Sequence, residues 1–371
     1  MGKGLEGIVA ASTAISLIDG VNGRLFYRGI DINDLAEHST FEEATALLWY
    51  GKLPTQMQLE SFNQKLVHNR QIPNEILALM MAMPKKTAPM EVLRTAISAL
   101  SPYDPEDLDN SLEANVHKST RLTASMPTVV AAWERIRNNQ WPILPRPDLG
   151  HAANFLYMLT GKVPDPRAAA VLDTCLILHA DHGLNASTFA ARITASTLSD
   201  LHSAIVSAIG TLKGPLHGGA NEQVMRMLLQ IGDVDRVDQY IRGALNAKKK
   251  IMGFGHRVYK ADDPRAAWLQ RLSASLADAS GVSRWYTISE RVRSQVQEAK
   301  PLPVNVDFYS ASVYYTLGIP IDMFTPIFAI SRVAGWTAHV YEQYSDNRLI
   351  RPESEYIGPM GVAYTPIAQR G

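Results

Sequence analysis

The chain has 371 residues, of which 46% are hydrophobic and 19% charged, an ordinary composition for a globular protein long enough for two domains. Lysine plus arginine equals aspartate plus glutamate at 36 residues each. This balance argues against nucleic acid or an anionic membrane as the main partner. Cys175 is the only cysteine, which excludes an intramolecular disulfide and leads us to expect a cytoplasmic location. We expect no signal peptide, because the N-terminus lacks a basic start followed by an apolar core. We also expect no transmembrane helix, because charges interrupt the apolar stretches.

The chain begins with a predicted β-hairpin and then becomes almost entirely helical. Residues 15–18 and 25–27 favour strands, and the Asp-Gly and Asn-Gly pairs within 19–23 are typical of hairpin turns. Thr40 opens a capping box, which predicts a helix that reaches Tyr50.

Hydrophobic periodicity predicts a long series of further helices. They fall near residues 56–69, 74–83, 88–100, 111–125, 128–139, 150–160, 166–182, 187–209, 219–231, 235–246, 265–279, 285–299 and from 308. Pro127 is expected to break or kink the chain between two of them. Residues 321–344 indicate either one buried helix or a broken pair. The predicted fold class is therefore all-α with a small N-terminal β-hairpin.

Two histidines lie in glycine-rich turns that precede predicted helices. His217 lies in the turn 214–219, and His256 lies in the turn 253–257, just after three lysines at 248–250. Glycine lets a backbone approach a ligand closely, and a helix start offers free N–H groups. A histidine held there tends to stay neutral and can donate one hydrogen bond. These features favour a site for anionic substrates, although the turns could also be ordinary helix caps.

The other histidines divide into three groups. His182 lies at a predicted helix end and is a third candidate. Polar neighbours predict that four histidines face solvent: His38, His68, His117 and His202. Helical apolar patterns predict that three are packed inside: His151, His179 and His339.

Asp307 is the carboxylate of most interest. It lies beside Val304, Val306 and Phe308, so we expect it to be partly buried, which would raise its pKa toward that of a useful general base. The alternative is that Asp307 is the N-cap of the following helix.

Three arginines suit a dicarboxylate, because a guanidinium binds a carboxylate with two parallel bonds. Arg265 follows Asp-Pro at a helix start, and Arg351 precedes Pro352. Arg332 interrupts an apolar run, where a buried charge needs a partner or an anionic ligand. The alternative for each is a surface ion pair, which fits Arg332 least.

No metal site is predicted from sequence spacing. His182, His217, His256 and Asp307 are ligand types, but they are too far apart in the chain to match a short ligand motif. A metal-dependent hydrolase that uses these side chains is still an alternative. The chain also lacks a phosphate-binding P-loop.

Several motifs, in order, resemble citrate synthase along nearly the whole chain. They lie at residues 16–20, 27–29, 214–221, 253–259, 263–265, 305–310, 328–332 and 348–352. The first long one reads Gly214-Pro215-Leu216-His217-Gly218-Gly219-Ala220-Asn221. One such motif would be weak, whereas the ordered set is specific.

The resemblance implies a homodimer of mostly helical subunits with an active site in a cleft between two domains. The large domain would comprise residues 1–215 and 315–371, and the small domain residues 216–314. Arg351 would reach into the partner's active site.

The resemblance also implies roles for individual residues. Asp307 would remove a proton from the acetyl-CoA methyl group, His217 would stabilise the enol or enolate, and His256 would polarise the ketone of oxaloacetate. The positions that match oxaloacetate-binding residues are His182, Arg265, Phe328, Arg332 and Arg351. The positions that match CoA-binding residues are Lys250, Ile251, Met252, Gly253, Phe254, Gly255, Lys300 and Asn305.

The implied enzyme is an acyltransferase that condenses acetyl-CoA with oxaloacetate and hydrolyses citryl-CoA to citrate and CoA. Acetyl-CoA would be a co-substrate, and no cofactor would be bound permanently. A 2-methylcitrate synthase that uses propionyl-CoA is an alternative. The chain departs from the family at Gly183, where glutamate is common, and this puts a hydrogen bond from that position in doubt.

Overall fold

A computed structural model describes residues 3–5, 7–255, 258–281 and 283–371, which form a mainly helical protein with one small sheet. The strands are β1 (Ser16–Asp19), β2 (Arg24–Tyr27) and β3 (Ile30–Asp31). The first eight α-helices are α1 (Ile32–His38), α2 (Phe41–Tyr50), α3 (Gln56–His68), α4 (Asn74–Ala82), α5 (Pro89–Leu100), α6 (Leu112–Arg137), α7 (His151–Thr160) and α8 (Pro166–His179). The others are α9 (Ala186–Ser196), α10 (Leu201–Leu212), α11 (Ala220–Ile231), α12 (Val237–Asn246), α13 (Pro264–Ser280), α14 (Arg284–Ala299), α15 (Val306–Thr316) and α16 (Phe324–Ser345). The predicted fold class is confirmed.

The N-terminal hairpin holds a loop of the candidate site. β1 and β2 pair antiparallel, with Ser16 opposite Tyr27. The hairpin is confirmed, but β3 was not predicted, because two residues are too few to show a strand pattern. The buried Tyr27 hydroxyl accepts a hydrogen bond from the Asp181 N–H (3.0 Å) and donates to the Asp181 carbonyl (2.9 Å). The hairpin therefore fixes the start of the loop between α8 and α9.

Pro127 does not break the chain as predicted. It lies inside α6, which is continuous over 26 residues. A proline in a helix interior costs about 3 kcal/mol. Met126 and Val129, on either side of it, are fully buried, so packing on both flanks offsets this cost.

Two other predicted helix boundaries are wrong. The predicted helix at 187–209 is divided into α9 and α10, because Leu198 takes a left-handed conformation (φ 63°) and Asp200 caps α10 by accepting the Ser203 N–H (2.7 Å). The helix predicted to reach residue 182 ends at His179. His182 therefore lies in a loop and not on a helix.

The centre of the core is α16. It is buried along nearly its whole length and packs against α2, α6, α8, α9 and α10. After a short 3₁₀ turn (Ile321–Met323), α16 runs without interruption from Phe324 to Ser345. The broken-pair alternative is therefore wrong. Helices α11 to α15 pack mainly on one another, most extensively α13 on α15.

The predicted histidine environments hold with one exception. His38 and His68 are exposed, His117 is half-buried, and His151, His179 and His339 are buried. His202 is buried rather than solvent-facing. Its neighbours in sequence are polar, but the loop after α5 covers it, which no local pattern shows.

In the part of the chain that the structure describes, no helix has the length and apolar character needed to cross a membrane.

Candidate active site

The candidate site forms where loops and helix starts from distant parts of the chain meet. His182 lies in the α8–α9 loop, His217 in the turn before α11, Arg265 in the first turn of α13, and Asp307 in the first turn of α15. Arg332 reaches the same place from the middle of α16. The charges of Arg265 and Arg332 both act on Asp307, and that of Arg332 also acts on His217. His182 contacts Tyr259, which the charge of Arg265 reaches as well. The structure therefore brings together these five predicted residues. His256 lies outside the described residues.

His182 is held on one side of the site by Tyr259. The His182 ring is buried, and its Nε2 atom lies 3.2 Å from the Tyr259 hydroxyl. Gly183 follows with φ 55°, and its N–H donates to the Asp181 carboxylate (3.0 Å). A Cβ atom at Gly183 would lie 3.1 Å from the Ile18 side chain. Glycine at this position lets the loop adopt the left-handed conformation. The hydrogen bond to the Asp181 carboxylate is made by the Gly183 backbone, so it does not require a side chain at this position.

Ser187, which was not predicted as a site residue, determines which nitrogen of His217 carries the proton. The Nε2 atom of His217 lies 2.8 Å from the Ser187 hydroxyl and 3.4 Å from the Ser187 backbone nitrogen. A backbone N–H can only donate, so Nε2 is the acceptor. The neutral imidazole therefore carries its proton on Nδ1, where it is available as a hydrogen-bond donor. Trp336 Nε1 donates to the same hydroxyl (3.1 Å) and fixes its position.

His217 is neutral at physiological pH. Burial, and then the positive charge of Arg332, lower the pKa of His217 to about 4. The neutral state predicted from sequence is thus supported. Its main cause is desolvation, which disfavours the imidazolium.

Arg265 forms a buried ion pair with Asp263. Its Nε and one terminal nitrogen donate to the two carboxylate oxygens of Asp263 at 2.9 and 2.7 Å. Burial alone would lower the pKa of Arg265, but the Asp263 carboxylate outweighs it and raises that pKa. Asp263 also caps α13 by accepting the Arg265 N–H (3.0 Å). The surface ion-pair alternative is therefore wrong for Arg265.

Arg332 is a buried cation that has few partners in the described part of the chain. It is 1% exposed, and its guanidinium makes one hydrogen bond, from Nε to the His179 carbonyl (2.6 Å). Its Cζ atom lies 4.7 Å from the centre of the Phe328 ring. Burial lowers the pKa of Arg332 to about 10, against the opposing effect of Asp181. Such a group suits an anionic ligand, because buried charges require compensation.

Asp307 is a carboxylate whose buried oxygen lacks a protein partner. Its Oδ1 atom is buried and accepts no hydrogen bond from the described residues. Burial raises the pKa of Asp307 to about 7, although the positive charge of Arg265 opposes this. The N-cap of α15 is Asn305, whose side chain accepts the Asp307 N–H (3.1 Å). The alternative that Asp307 is the cap is therefore wrong.

The loop 251–255 packs beside Asp307. Gly253 has φ 85°, and a Cβ atom there would lie 2.7 Å from the Phe308 ring, so only glycine fits. Phe254 packs against Phe308 with ring centres 4.8 Å apart and the ring planes inclined at 57°. Asn305 ties the loop down, because its N–H donates to the Gly253 carbonyl and its side chain to the Gly255 carbonyl, both at 3.0 Å.

Among the other predicted CoA-binding residues, Ile251 is buried and Met252 half-buried, whereas Lys250 and Lys300 are exposed. Arg351 is also exposed, on the irregular segment after α16. Among the described residues, no hydrogen bond or ion pair joins Arg351 to another predicted site residue.

Sequence reasoning missed Ser187, Tyr259 and Asp263 as supporting residues of the site. The only local signal was for Asp263, which stands before proline at a helix start. The contacts of Ser187 and Tyr259 join residues that are 30 and 77 positions apart, so no spacing could reveal them.

The site contains the functional groups that carbanion chemistry on an anionic substrate requires. It combines two buried arginines, a neutral histidine that can donate from Nδ1, and a carboxylate whose pKa is near neutral. The described residues of this site do not include a cluster of metal-ligand side chains, since the group with such geometry lies elsewhere.

Comparison with known proteins identifies the family. The sequence model described as "Citrate synthase, C-terminal domain" matches residues 4–353. The chain belongs to the citrate synthase family.

Relatives match it over almost their whole length. Citrate synthase 2 of Bacillus subtilis is 50% identical over 369 residues and covers 99% of each chain. A 2-methylcitrate synthase of Mycobacterium tuberculosis is 43% identical over 356 residues, covering 96% of this chain and 90% of that one. A structure of Thermoplasma acidophilum citrate synthase in a ternary complex with carboxymethyl coenzyme A and oxaloacetate has a TM-score of 0.94 at 32% identity, covering 100% and 99% of the two chains. The resemblance seen in the motifs is confirmed.

Proposed function

We propose that this chain condenses acetyl-CoA with oxaloacetate and hydrolyses citryl-CoA to citrate and CoA. Membership of the citrate synthase family supports this activity, and the structure adds one decisive observation. Asp307 has a buried, unpartnered carboxylate oxygen and a pKa near 7, in the same site as a neutral histidine and two buried arginines. A weak carbon acid needs such a pair, with a base for the proton and a donor for the developing oxyanion.

In the proposed reaction, Asp307 takes a proton from the methyl carbon of acetyl-CoA. The Nδ1–H of His217 donates a hydrogen bond to the thioester oxygen, where the negative charge develops. The resulting carbon nucleophile attacks the ketone carbon of oxaloacetate, and His256 supplies the hydrogen bond that polarises this ketone. The new carbon–carbon bond turns the ketone oxygen into an alkoxide, and its protonation gives citryl-CoA. Water then cleaves the thioester, releasing CoA and citrate.

We assign oxaloacetate binding to His182, Arg265, Arg332 and Phe328. The Phe328 ring packs against the Arg332 guanidinium. Arg265 and Arg332 would each pair with one of the two negative charges of the substrate. We assign CoA binding to Asn305, Lys300 and residues 250–255. The fixed backbone of that loop and the exposed side chains of Lys250 and Lys300 suit a nucleotide with phosphate groups. Acetyl-CoA is thus a co-substrate rather than a permanently bound cofactor.

Activity as a 2-methylcitrate synthase is the second candidate, because a curated relative with that name is 43% identical to this chain. The test is to measure thiol release from acetyl-CoA and from propionyl-CoA, each with and without oxaloacetate. We expect oxaloacetate-dependent release and a higher kcat/KM for acetyl-CoA, although one methylene is worth only about 1–3 kcal/mol. A higher kcat/KM for propionyl-CoA would move the assignment to 2-methylcitrate synthase. No release with either thioester would reject both.

We propose that residues 216–314 form a small domain that closes on a large domain of residues 1–215 and 315–371. The packing of helices α11 to α15 on one another supports this division. Closure on oxaloacetate would complete the CoA site, so oxaloacetate should bind first. Calorimetry tests the order, and equal acetyl-CoA affinity with and without oxaloacetate would contradict it.

We also propose a homodimer in which Arg351 enters the partner's site. The segment before Arg351 is tied to the end of α9, since the Ile350 N–H donates to the Ser196 hydroxyl (3.1 Å). Ile193 and Leu198, two apolar residues at the same end of α9, are 38% and 61% exposed in the single chain. A second copy of the chain would cover such apolar surface.

Mixed dimers test the shared site. Dimers of Asp307→Ala alone and of Arg351→Ala alone should be nearly inactive. After subunit exchange, a mixed dimer would regain one of two sites, because the subunit with Asp307 receives Arg351 from its neighbour. Mixing confirmed by mass with no recovered activity would show that Arg351 does not act across the dimer.

The cytoplasmic location expected from the cysteine content stays a prediction.

A further inference from the structure

A second polar cluster lies away from the candidate active site, between the loop after α5 and the start of α10. Its centre is His202, which is 2% exposed. The Nδ1 atom of His202 lies 3.2 Å from Asp107 Oδ1, and its Nε2 atom lies 3.7 Å from Asp104 Oδ2. Neither approach is a hydrogen bond, because the first has unsuitable geometry and the second is too long.

Both facing atoms are buried without a hydrogen-bond partner in the described chain, namely Nδ1 of His202 and Oδ1 of Asp107. Buried polar atoms are nearly always bonded, so such a facing pair requires an explanation. An imidazole nitrogen and a carboxylate oxygen both carry lone pairs, so an electron-pair acceptor placed between these two atoms would satisfy both.

Asp200 supplies a third donor. Asp200 is the N-cap of α10, and its oxygens accept the Ser203 N–H (2.7 Å) and the Ser203 hydroxyl (2.6 Å). Ser101 donates to the other oxygen of Asp107 (2.9 Å). One donor atom from each of Asp107, Asp200 and His202 lies within 4.8 Å of the other two. In a tetrahedral site with bonds of about 2.1 Å, the donor atoms lie roughly 3.4 Å apart. The 3.2 Å between His202 Nδ1 and Asp107 Oδ1 already fits this spacing, and the separations to Asp200 would shorten by at most about 1.4 Å.

Two cations lie near the cluster, and their hydrogen bonds go to groups other than the three side chains, although the Lys118 ammonium also interacts electrostatically with the Asp107 and Asp200 carboxylates. Arg121 binds Asp104 with a fork of two bonds (2.8 and 2.6 Å) and also binds Glu106 (2.7 Å). Lys118 is buried, and its ammonium donates to the backbone carbonyls of Asp107 (3.2 Å) and Asp109 (2.5 Å). Within the described residues, neither Asp107 nor Asp200 has a lysine or arginine ion pair.

We propose that Asp107, Asp200 and His202 bind one divalent first-row transition cation, such as Zn²⁺ or Mn²⁺. One imidazole nitrogen and two carboxylates suit these ions, whereas Ca²⁺ and Mg²⁺ prefer oxygen ligands alone. The serine hydrogen bonds orient the two carboxylates, as supporting bonds do in metal sites. The bound ion joins the loop before α6 to the first turn of α10.

The test is calorimetric titration of chelator-treated protein with Zn²⁺ and separately with Mn²⁺, followed by thermal unfolding with and without each ion. The main variant is Asp200→Asn, because asparagine caps a helix as well as aspartate does and so preserves the fold. The matched control is Asp165→Asn, the same substitution at the exposed N-cap of α8. A second variant, His202→Gln, removes the nitrogen ligand.

The proposal expects one ion per chain, an affinity at least tenfold weaker in Asp200→Asn and in His202→Gln, and an unchanged affinity in Asp165→Asn. The ion should also raise the Tm of the parent protein and of the control more than that of Asp200→Asn. Failure of both ions to bind the parent protein would overturn the proposal. Equal affinities in the parent, Asp200→Asn and Asp165→Asn would overturn it too, because the ion would then bind elsewhere. If His202→Gln does not fold, the two asparagine variants decide the question.

Discussion

Replacement of Asp307 by asparagine should make the free enzyme more stable while it removes activity. Burial raises the pKa of Asp307 to about 7 from an ordinary value of 3.8. Between these two values, the folded protein keeps a proton that the unfolded chain has released, so this group destabilises the fold as the pH rises through that window. The pKa of Asp307 is raised by about three units, and at 1.36 kcal/mol per unit this lowers the free energy of unfolding by about 4 kcal/mol at high pH.

Asparagine has nearly the same shape but never ionises. The Asp307→Asn protein should therefore be more stable than the parent by up to about 4 kcal/mol at pH 8, where the carboxylate is charged in both states. At pH 5 the parent retains the proton when folded, and the advantage should fall to roughly 2 kcal/mol. Urea unfolding at the two pH values, at one fixed protein concentration, measures the difference.

The same variant tests the proposed chemistry. We expect turnover to fall by roughly three orders of magnitude, because an amide cannot accept the methyl proton. A stability difference that is the same at pH 5 and pH 8 would refute the argument from burial. Near-normal turnover in a folded variant would refute the role of Asp307 as the base.

Two further predictions concern residues that support the site. Asp263→Asn leaves the buried Arg265 without its carboxylate, so we expect a loss of about 3–5 kcal/mol in unfolding free energy and a higher KM for oxaloacetate; unchanged values in both measurements would mean that the pair contributes little. Ser187→Ala removes the hydroxyl that orients His217, so we expect kcat to fall by about 10–100-fold with an almost unchanged KM for oxaloacetate. If the Ser187 variant kept its kcat, the backbone N–H alone would suffice to hold the ring.

Local chemistry made most of the helices and the hairpin predictable. Thr40 accepts the Glu43 N–H at the start of α2, which is one of the two bonds of the predicted capping box, while the Glu43 carboxylate accepts from the Ser39 hydroxyl. Gly51 ends that helix in a left-handed conformation. These interactions join residues a few positions apart, so a short stretch of sequence determines them. Arg332 was similarly identifiable, because a charge within an apolar run has few explanations.

The features that were predicted wrongly depend on burial by residues that are distant in the sequence. Continuity of α6 through Pro127 depends on packing along both halves of the helix, and the environment of His202 depends on a loop about a hundred residues earlier in the chain. The free energy of such contacts belongs to residues that are distant in sequence, and a local pattern does not record it.

The sequence by itself determined which residues are the candidates for the chemistry, whereas the tertiary structure decided the state in which they are held. The motifs pointed to His217 and Asp307 but left open whether Asp307 was an N-cap. Only the fold shows that Asn305 takes the cap, that the Asp307 carboxylate oxygen is buried without a partner, and that Ser187 leaves the proton of His217 on Nδ1. The physical reason is that protonation states depend on desolvation and on hydrogen-bond partners, and both are created only when distant segments pack together.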